Sequence, residues 1–253
     1  MDFAFATDPG SDRPNEDHVV VSADFAIVLD GVTQLPDLDT GCVHSPAWQV
    51  RALGSCLVGA LSDERTAPLD EVLATAIEGV CRRHEGRCDL SNPNSPSATV
   101  AIVRERGEQV DYLVLCDSLV VYEAQDGIVV MHDDRTDDLP AYDRHTVGRL
   151  RNQPGGFWVA STDPGAAAEA ITGVVPRAEL RRLLLCTDGI SRLVEYFQLS
   201  WTDVFDLVER CGPRAAVDAV RAYEESHPRW PVLPPGRRRV KRHDDATIAV
   251  LRT

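Results

Sequence analysis

The sequence predicts a layered α+β fold in which helices cover antiparallel β-sheets. Strands and helices occur in separate blocks along the chain instead of alternating, and consecutive strands in the middle are joined by links too short for a crossover helix. Hydrophobic residues make up 43% of the 253 residues, which supplies a sizeable core. Helices covering two antiparallel sheets are one arrangement that satisfies these observations.

The first block combines two strands with two helices. The apolar runs 19–21 and 26–29 flank a polar turn near 22–24, as expected of paired strands. Apolar side chains then recur between 69 and 81 at the spacing of a helix with one buried face, and a weaker pattern of the same kind covers 50–61.

The middle of the chain is rich in strands. Gly107 and Asp126-Gly127 stand where hairpin turns are needed between short β-branched segments. Beyond them, a largely polar and irregular stretch near 133–175 predicts a functional flap, with a strand at 157–159 and a short helix after Pro164. The four segments are 99–103, 110–115, 120–122 and 128–131.

The last part of the chain completes the layers. A strand is predicted at 183–186, and two helices follow, one after a capping pattern at Ser200 and one opening at Pro213. A Pro/Arg-rich loop at 228–241 precedes a final strand at 247–251. We interpret residues 1–253 as one domain.

Charge and hydropathy exclude several classes of protein. Forty acidic residues against 26 basic ones give a net charge of −14, which repels nucleic-acid backbones. No apolar run approaches the roughly 18 residues of a membrane span, and the first ten residues lack the basic cluster of a secretory signal. We expect a cytoplasmic, monomeric protein without nucleic-acid or membrane partners.

The seven cysteines predict buried thiols in a reducing compartment. Their number is odd, no pair is spaced as C-x-x-C, and Cys116 and Cys186 each end an apolar run. A zinc site is the alternative, which the spacings do not favour.

Acidic residues accompany the ends of the predicted strands. Asp30-Gly31 and Asp188-Gly189 each follow a fully apolar strand directly. Carboxylates held close together raise each other's pKa, and a divalent cation relieves that conflict. Oxygen ligands without histidines suit Mg²⁺ or Mn²⁺. Further acids at strand ends are Glu16-Asp17, Asp117 and Asp244-Asp245.

An ordinary Asp-Gly turn is the alternative at each of these positions. The residues by themselves leave the turn and the metal site about equally favoured. A metal site made of these acids would be suited to the hydrolysis of phosphate esters.

Six short motifs, in order, resemble those of the metal-dependent protein serine/threonine phosphatases of type 2C, the PPM family. Together they span nearly the whole chain. They lie at 13–17 (R-P-N-E-D), 28–32 (V-L-D-G-V), 97–100 (S-A-T-V), 116–118 (C-D-S), 184–190 (L-L-C-T-D-G-I) and 244–247 (D-D-A-T).

The resemblance implies a fold and a metal centre. The fold is a central antiparallel β-sandwich flanked by pairs of α-helices. Asp30 is implied to bridge two Mg²⁺ or Mn²⁺ ions, with the carbonyl of Gly31 on one of them. Asp188 and Asp244 are implied to complete the shell of the second ion.

The resemblance also implies roles around that pair. Glu16 lies close to the other ion, Asp117 matches a third and weaker metal site, and Asp17 supports the cluster. Arg13 holds the substrate phosphate. The implied activity is hydrolysis of phosphoserine and phosphothreonine in phosphorylated proteins by a metal-activated water.

The sequence departs from the family pattern at several positions. The 13–17 motif is one residue shorter than usual, Val32 stands where some members have a histidine proposed as general acid, and Cys116 replaces a glycine. These departures keep two alternatives open: a binding module of the same fold without turnover, and a phosphatase of a small phosphorylated metabolite.

Overall fold

Two five-stranded antiparallel sheets form the centre of the molecule in the computed structural model, which describes residues 1–34, 38–227 and 241–252. The ten strands are β1 (Asp2–Asp8), β2 (Asp17–Val21), β3 (Phe25–Gly31), β4 (Ala98–Arg106), β5 (Gln109–Leu115), β6 (Leu119–Ala124), β7 (Gly127–Met131), β8 (Ile171–Pro176), β9 (Arg182–Cys186) and β10 (Ala246–Arg252). One sheet has the order β1-β10-β9-β6-β7 and the other the order β2-β3-β4-β5-β8.

Helices cover the outer face of each sheet. The described helices are α1 (Pro46–Asp63), α2 (Leu69–Arg83), α3 (Arg144–Leu150), α4 (Asp188–Glu195), α5 (Trp201–Cys211) and α6 (Arg214–Ser226), with 3₁₀ turns at Asp134–Thr136, Pro164–Glu169 and Arg177–Glu179. The predicted fold class is confirmed by this arrangement of sheets and helices.

Strand β3 shows why the run before Asp30 is apolar throughout. Ala26 and Val28 face the other sheet, whereas Ile27 and Leu29 face α1 and α2. Successive side chains of a strand point to opposite faces. A strand that is covered on both faces therefore has apolar residues at consecutive positions instead of alternating apolar and polar ones. This double burial holds Asp30 rigidly at the end of the strand.

The helix patterns read from the sequence match the packed faces. The stripe from Leu69 to Val80 is buried against the β3 sheet. Ser200 forms a capping box with Asp203 at the start of α5, and α4, α5 and α6 pack with β10 and β9 in a second outer core. No helix in the described part of the chain is long and apolar enough to cross a membrane.

Five elements differ from the sequence-based expectation. Strands β1 and β8 and helices α3 and α4 were not predicted, and residues 157–159 form no strand among the described elements. Strand β1 is set by tertiary pairing, because all seven of its residues pair with β10. Phe157 and Val159 are instead buried beside Cys116.

The predicted flap contains packed as well as open stretches. Ala166 and Ala167 are buried, and Asp133 accepts hydrogen bonds from Arg135 and from the amide of Cys116. Opening of this segment and the interpretation of 1–253 as one domain stay predictions. Most of the Pro/Arg-rich loop, 228–240, lies outside the described residues.

Candidate active site

The acids at the strand ends come together at one end of the sandwich. The β2–β3 register places Asp17 opposite Asp30. Desolvation raises the pKa of the Asp30 carboxyl well above its usual range. Neighbouring carboxylates raise this pKa further, in the order Asp17, Asp188, Asp244 and Asp117.

Asp17 lies buried within this cluster. Burial raises the pKa of its carboxyl well above the usual range, and the charges of Asp245 and Asp188 add to that effect. The Thr187 hydroxyl donates to Asp17 Oδ2 at 2.9 Å and accepts from the Thr247 amide at 3.1 Å. Among the described residues, Oδ1 of Asp17 has no hydrogen-bond donor.

The two glycines that follow the aspartates are required by close backbone approach. A Cβ on Gly31 would lie 2.8 Å from the carbonyl oxygen of Glu16, and one on Gly189 would lie 2.0 Å from that of Asp245. Neither glycine has a positive φ. Asp30-Gly31 ends strand β3 and Asp188-Gly189 opens helix α4, so the ordinary-turn interpretation describes neither site.

Asp245 fixes the loop that carries Glu16. Its carboxylate accepts from the Gly10 amide at 2.8 Å and from the Glu16 amide at 2.6 Å. The Glu16 side chain accepts from the Thr33 hydroxyl at 2.6 Å. Desolvation raises the pKa of Glu16, partly offset by that hydroxyl.

Asp244 is held by two cationic side chains that the sequence analysis did not find. Arg192 Nη2 lies 2.8 Å from one carboxylate oxygen and Lys241 Nζ lies 2.5 Å from the other. Arg192 also pairs with the fully buried Glu224 at 2.7 Å. Desolvation and the charge of Asp188 nevertheless raise the pKa of Asp244.

Only one signal in the sequence could have pointed to these residues. Lys241 is the one lysine of the chain, three positions before Asp244. Arg192 and Glu224 carry no such signal, since they meet only when α4 packs against α6.

The loop between β5 and β6 carries Asp117. It is buried beside Ser118, whose hydroxyl lies 2.5 Å from that of Thr99 on β4. Cys116 has φ of +65°, in the left-handed region that favours glycine. The glycine of the family motif is therefore replaced by a cysteine in a glycine-like conformation.

A family model described as protein phosphatase 2C matches residues 10–221. The chain belongs to this family. The search of curated proteins found no match.

Solved structures of the same fold cover nearly the whole chain. Serine/threonine phosphatase Stp1 from Staphylococcus aureus is 14% identical with a TM-score of 0.62, covering 99% of this chain and 94% of its own. MsPP from Mycobacterium smegmatis, in complex with cacodylate, is 16% identical with a TM-score of 0.58, covering 99% and 97%. The PstP catalytic domain, in complex with two manganese ions, is 17% identical with a TM-score of 0.56, covering 98% and 96%. These likenesses show the fold.

Two further positions of the type 2C motifs are occupied by Arg13 and Val32. Arg13 is exposed in the loop between β1 and β2, and its amide donates to Ser11 Oγ at 3.3 Å. Val32 packs with Cys116, Phe157 and Val159, so this position offers an apolar surface instead of a proton donor.

The donor set of the cluster fits hard divalent cations. Its ligand atoms are carboxylate and carbonyl oxygens, and the charges that act most strongly on the buried Asp30 and Asp17 are those of other carboxylates, whereas Asp244 is paired with Arg192 and Lys241. The buried Oδ1 of Asp17, without a donor among the described residues, points to a local deficit of positive charge. Mn²⁺ or Mg²⁺ therefore suits this type 2C chain better than zinc.

Asp30→Asn is expected to stabilise the metal-free protein by about 0.5–2 kcal/mol at neutral pH, because it removes one of several mutually repelling charges. The raised pKa of Asp30 means that the folded state prefers the protonated carboxyl. The gain should therefore disappear as the pH falls toward the ordinary value of 3.8. Urea unfolding with a chelator, at several pH values, measures it.

The exposed Asp138→Asn serves as the matched control and should change stability by less than about 0.5 kcal/mol. A destabilised Asp30→Asn protein under the same metal-free conditions would contradict the repulsion argument.

Proposed function

We propose that this protein hydrolyses phosphoserine and phosphothreonine in phosphorylated proteins, with two divalent metal ions as cofactors. One observation carries the proposal: Asp30 lies at the end of a doubly buried strand, opposite Asp17 and within electrostatic reach of Asp188, Asp244 and Asp117, in a chain of the protein phosphatase 2C family. A phosphatase of this class uses divalent ions to activate water.

The proposed metal ligands follow the converging acids. Asp30 and the Gly31 carbonyl would hold one Mn²⁺ or Mg²⁺ ion, with Glu16 close to it. Asp30, Asp188 and Asp244 would hold the second ion. Asp117 is the proposed ligand of a third, weaker ion. When bound, the ions would supply a hydroxide near neutral pH.

The protein's own residues orient these ligands. The Thr187 hydroxyl holds the supporting residue Asp17, and Asp245 holds the Glu16 backbone. The Arg192–Glu224 pair fixes the position of Asp244. We further propose that the protein acts as a cytoplasmic monomer without nucleic-acid or membrane partners.

The activity test uses p-nitrophenyl phosphate and a phosphothreonine peptide with Mn²⁺, Mg²⁺ or chelator. Hydrolysis should require metal and fall to background in Asp30→Asn and Asp188→Asn, because both remove a proposed ligand. The exposed Asp138→Asn is the control and should keep full activity. A wild-type protein inactive in both metals would refute the proposal.

Substrate class is resolved in the same assay by comparing phosphopeptides with small phosphorylated metabolites. The proposal expects a higher kcat/KM for phosphopeptides. Faster turnover of a metabolite would support the alternative of a small-molecule phosphatase.

Arg13 is the proposed phosphate ligand, since it is exposed in the loop that leads to Glu16 and its guanidinium can bind phosphate oxygens in a bidentate manner. Arg13→Ala should raise KM about 10- to 100-fold, with a smaller change in kcat. This fold-change corresponds to the loss of one hydrogen bond between charged groups. Arg65→Ala, an exposed arginine paired with Asp24, is the control. An unchanged KM would show that the shortened motif leaves Arg13 out of reach.

Lys241 favours a second candidate, a phosphopeptide-binding module without turnover, because its ammonium already neutralises Asp244. If Lys241 competes with the metal instead, Lys241→Met should lower the half-saturating Mn²⁺ concentration about two- to fivefold, the value of a weak ion pair, because the Lys241 ammonium is partly exposed. Hydrolysis at varied Mn²⁺ measures this. An unchanged Mn²⁺ requirement would contradict the competition, and phosphopeptide binding without hydrolysis would support the second candidate.

A further inference from the structure

A second cluster of metal-ligand side chains lies between the segment before α1 and the end of α2. Its members are Cys42, His44, His84 and Cys88, and one ligand atom from each lies within 4.8 Å of every other. Cys42 and His44 precede α1, whereas His84 directly follows α2 and Cys88 comes four residues later. The ligands are nitrogen and sulfur, unlike the oxygens of the acidic cluster.

The distances within the cluster fit a single tetrahedral ion. Cys42 Sγ lies 3.2 Å from Cys88 Sγ, 3.5 Å from His44 Nδ1 and 3.6 Å from His84 Nδ1. Cys88 Sγ lies 3.4 Å from His44 Nδ1. Metal–ligand bonds of about 2.0–2.3 Å give tetrahedral edges of about 3.3–3.8 Å. The four separations lie in or next to this range.

The surroundings hold the four side chains in place. His84 is 1% exposed. The Trp48 ring of α1 stacks on His44 with centroids 3.8 Å apart and meets the His84 ring edge-on at 4.9 Å. The backbone on both sides is joined, since the Asp89 amide donates to the Gly41 carbonyl at 2.8 Å. The cluster is therefore an ordered pair of loops around four donors.

A disulfide explains the cluster less well. An S–S bond is about 2.05 Å long, well below the Sγ–Sγ separation here. A disulfide also leaves unexplained why both histidines present Nδ1 to the sulfurs. A core of small apolar side chains would not need two imidazoles, one of them fully buried among the thiols.

The cysteine spacings alone do not favour zinc, because no two cysteines form a C-x-x-C pair. Here each half of the site combines one cysteine with one histidine, as C-x-H at 42–44 and H-x₃-C at 84–88. The two halves lie about 40 residues apart along the chain and are brought together by the packing of α1 against α2. That packing could not be read from either half alone.

We propose that Cys42, His44, His84 and Cys88 bind one zinc ion in a closed, structural site. Four protein ligands leave no open position for a substrate or water, so this ion takes no part in hydrolysis. Its role is to join the segment after the proposed catalytic strand β3 to the end of α2. The inference does not depend on the proposed phosphatase activity.

The test measures the metal content of the full-length protein. The protein is produced in cells grown with added zinc and is then dialysed under reducing conditions. Elemental analysis should find about one tightly held zinc per chain. Cys42→Ser and Cys88→Ser should reduce it below about a tenth of that value. Cys211→Ser, at an exposed cysteine, and Asp188→Asn, in the acidic cluster, are matched controls that should retain the zinc.

Cobalt substitution of the wild type tests the site without relying on variants that fail to fold. Thiolate-to-cobalt charge transfer and intense visible bands are expected of a tetrahedral S₂N₂ site, and the acidic cluster cannot produce the charge transfer. Zinc lost in Asp188→Asn but kept in Cys42→Ser would overturn the proposal. A wild-type protein without zinc would also overturn the proposal, whether mass spectrometry shows free thiols or a Cys42–Cys88 disulfide.

Discussion

Repulsion among carboxylates at one end of the sandwich is the constraint around which this part of the structure is arranged. Asp30 and Asp17 are drawn into a desolvated position where other acids face them, so the pKa of each is raised well above its usual range. Hydroxyls and cationic side chains offset part of this cost: Thr187 donates to Asp17, and Arg192 pairs with Asp244. The remainder is the deficit that a divalent cation would remove.

The scaffold makes such an unfavourable arrangement tolerable because the acids sit at the ends of rigid strands. β3 is buried on both faces, and β10 is paired on both sides by β1 and β9. The close approach of backbone to Gly31 and Gly189 leaves no room for a side chain there. The clustered acids therefore lower the stability of the metal-free protein, while the scaffold holds them in fixed positions, as is common at functional positions.

The two clusters differ in their ligand atoms, and for this reason they favour different metal ions. The acidic cluster offers oxygen, which suits Mn²⁺ or Mg²⁺, whereas the cluster at Cys42 offers sulfur and nitrogen, which suit zinc. Cys42 and His44 of the second cluster lie in the described residues 38–45, just before α1. In this arrangement a structural ion would support the layer of α1 and α2 that buries Ile27 and Leu29 behind Asp30.

The sequence by itself determined the fold class, most strands, the buried stripe of α2 and the acids at the strand ends, because these follow from local periodicity and residue type. Tertiary structure alone decided the pairing of β1 with β10, the start of α4 at Asp188, and the meeting of Arg192 with Glu224 and Asp244. It also decided the Cys/His cluster, whose halves look ordinary in isolation. Contacts between segments distant along the chain depend on how layers pack, and no short pattern records that packing.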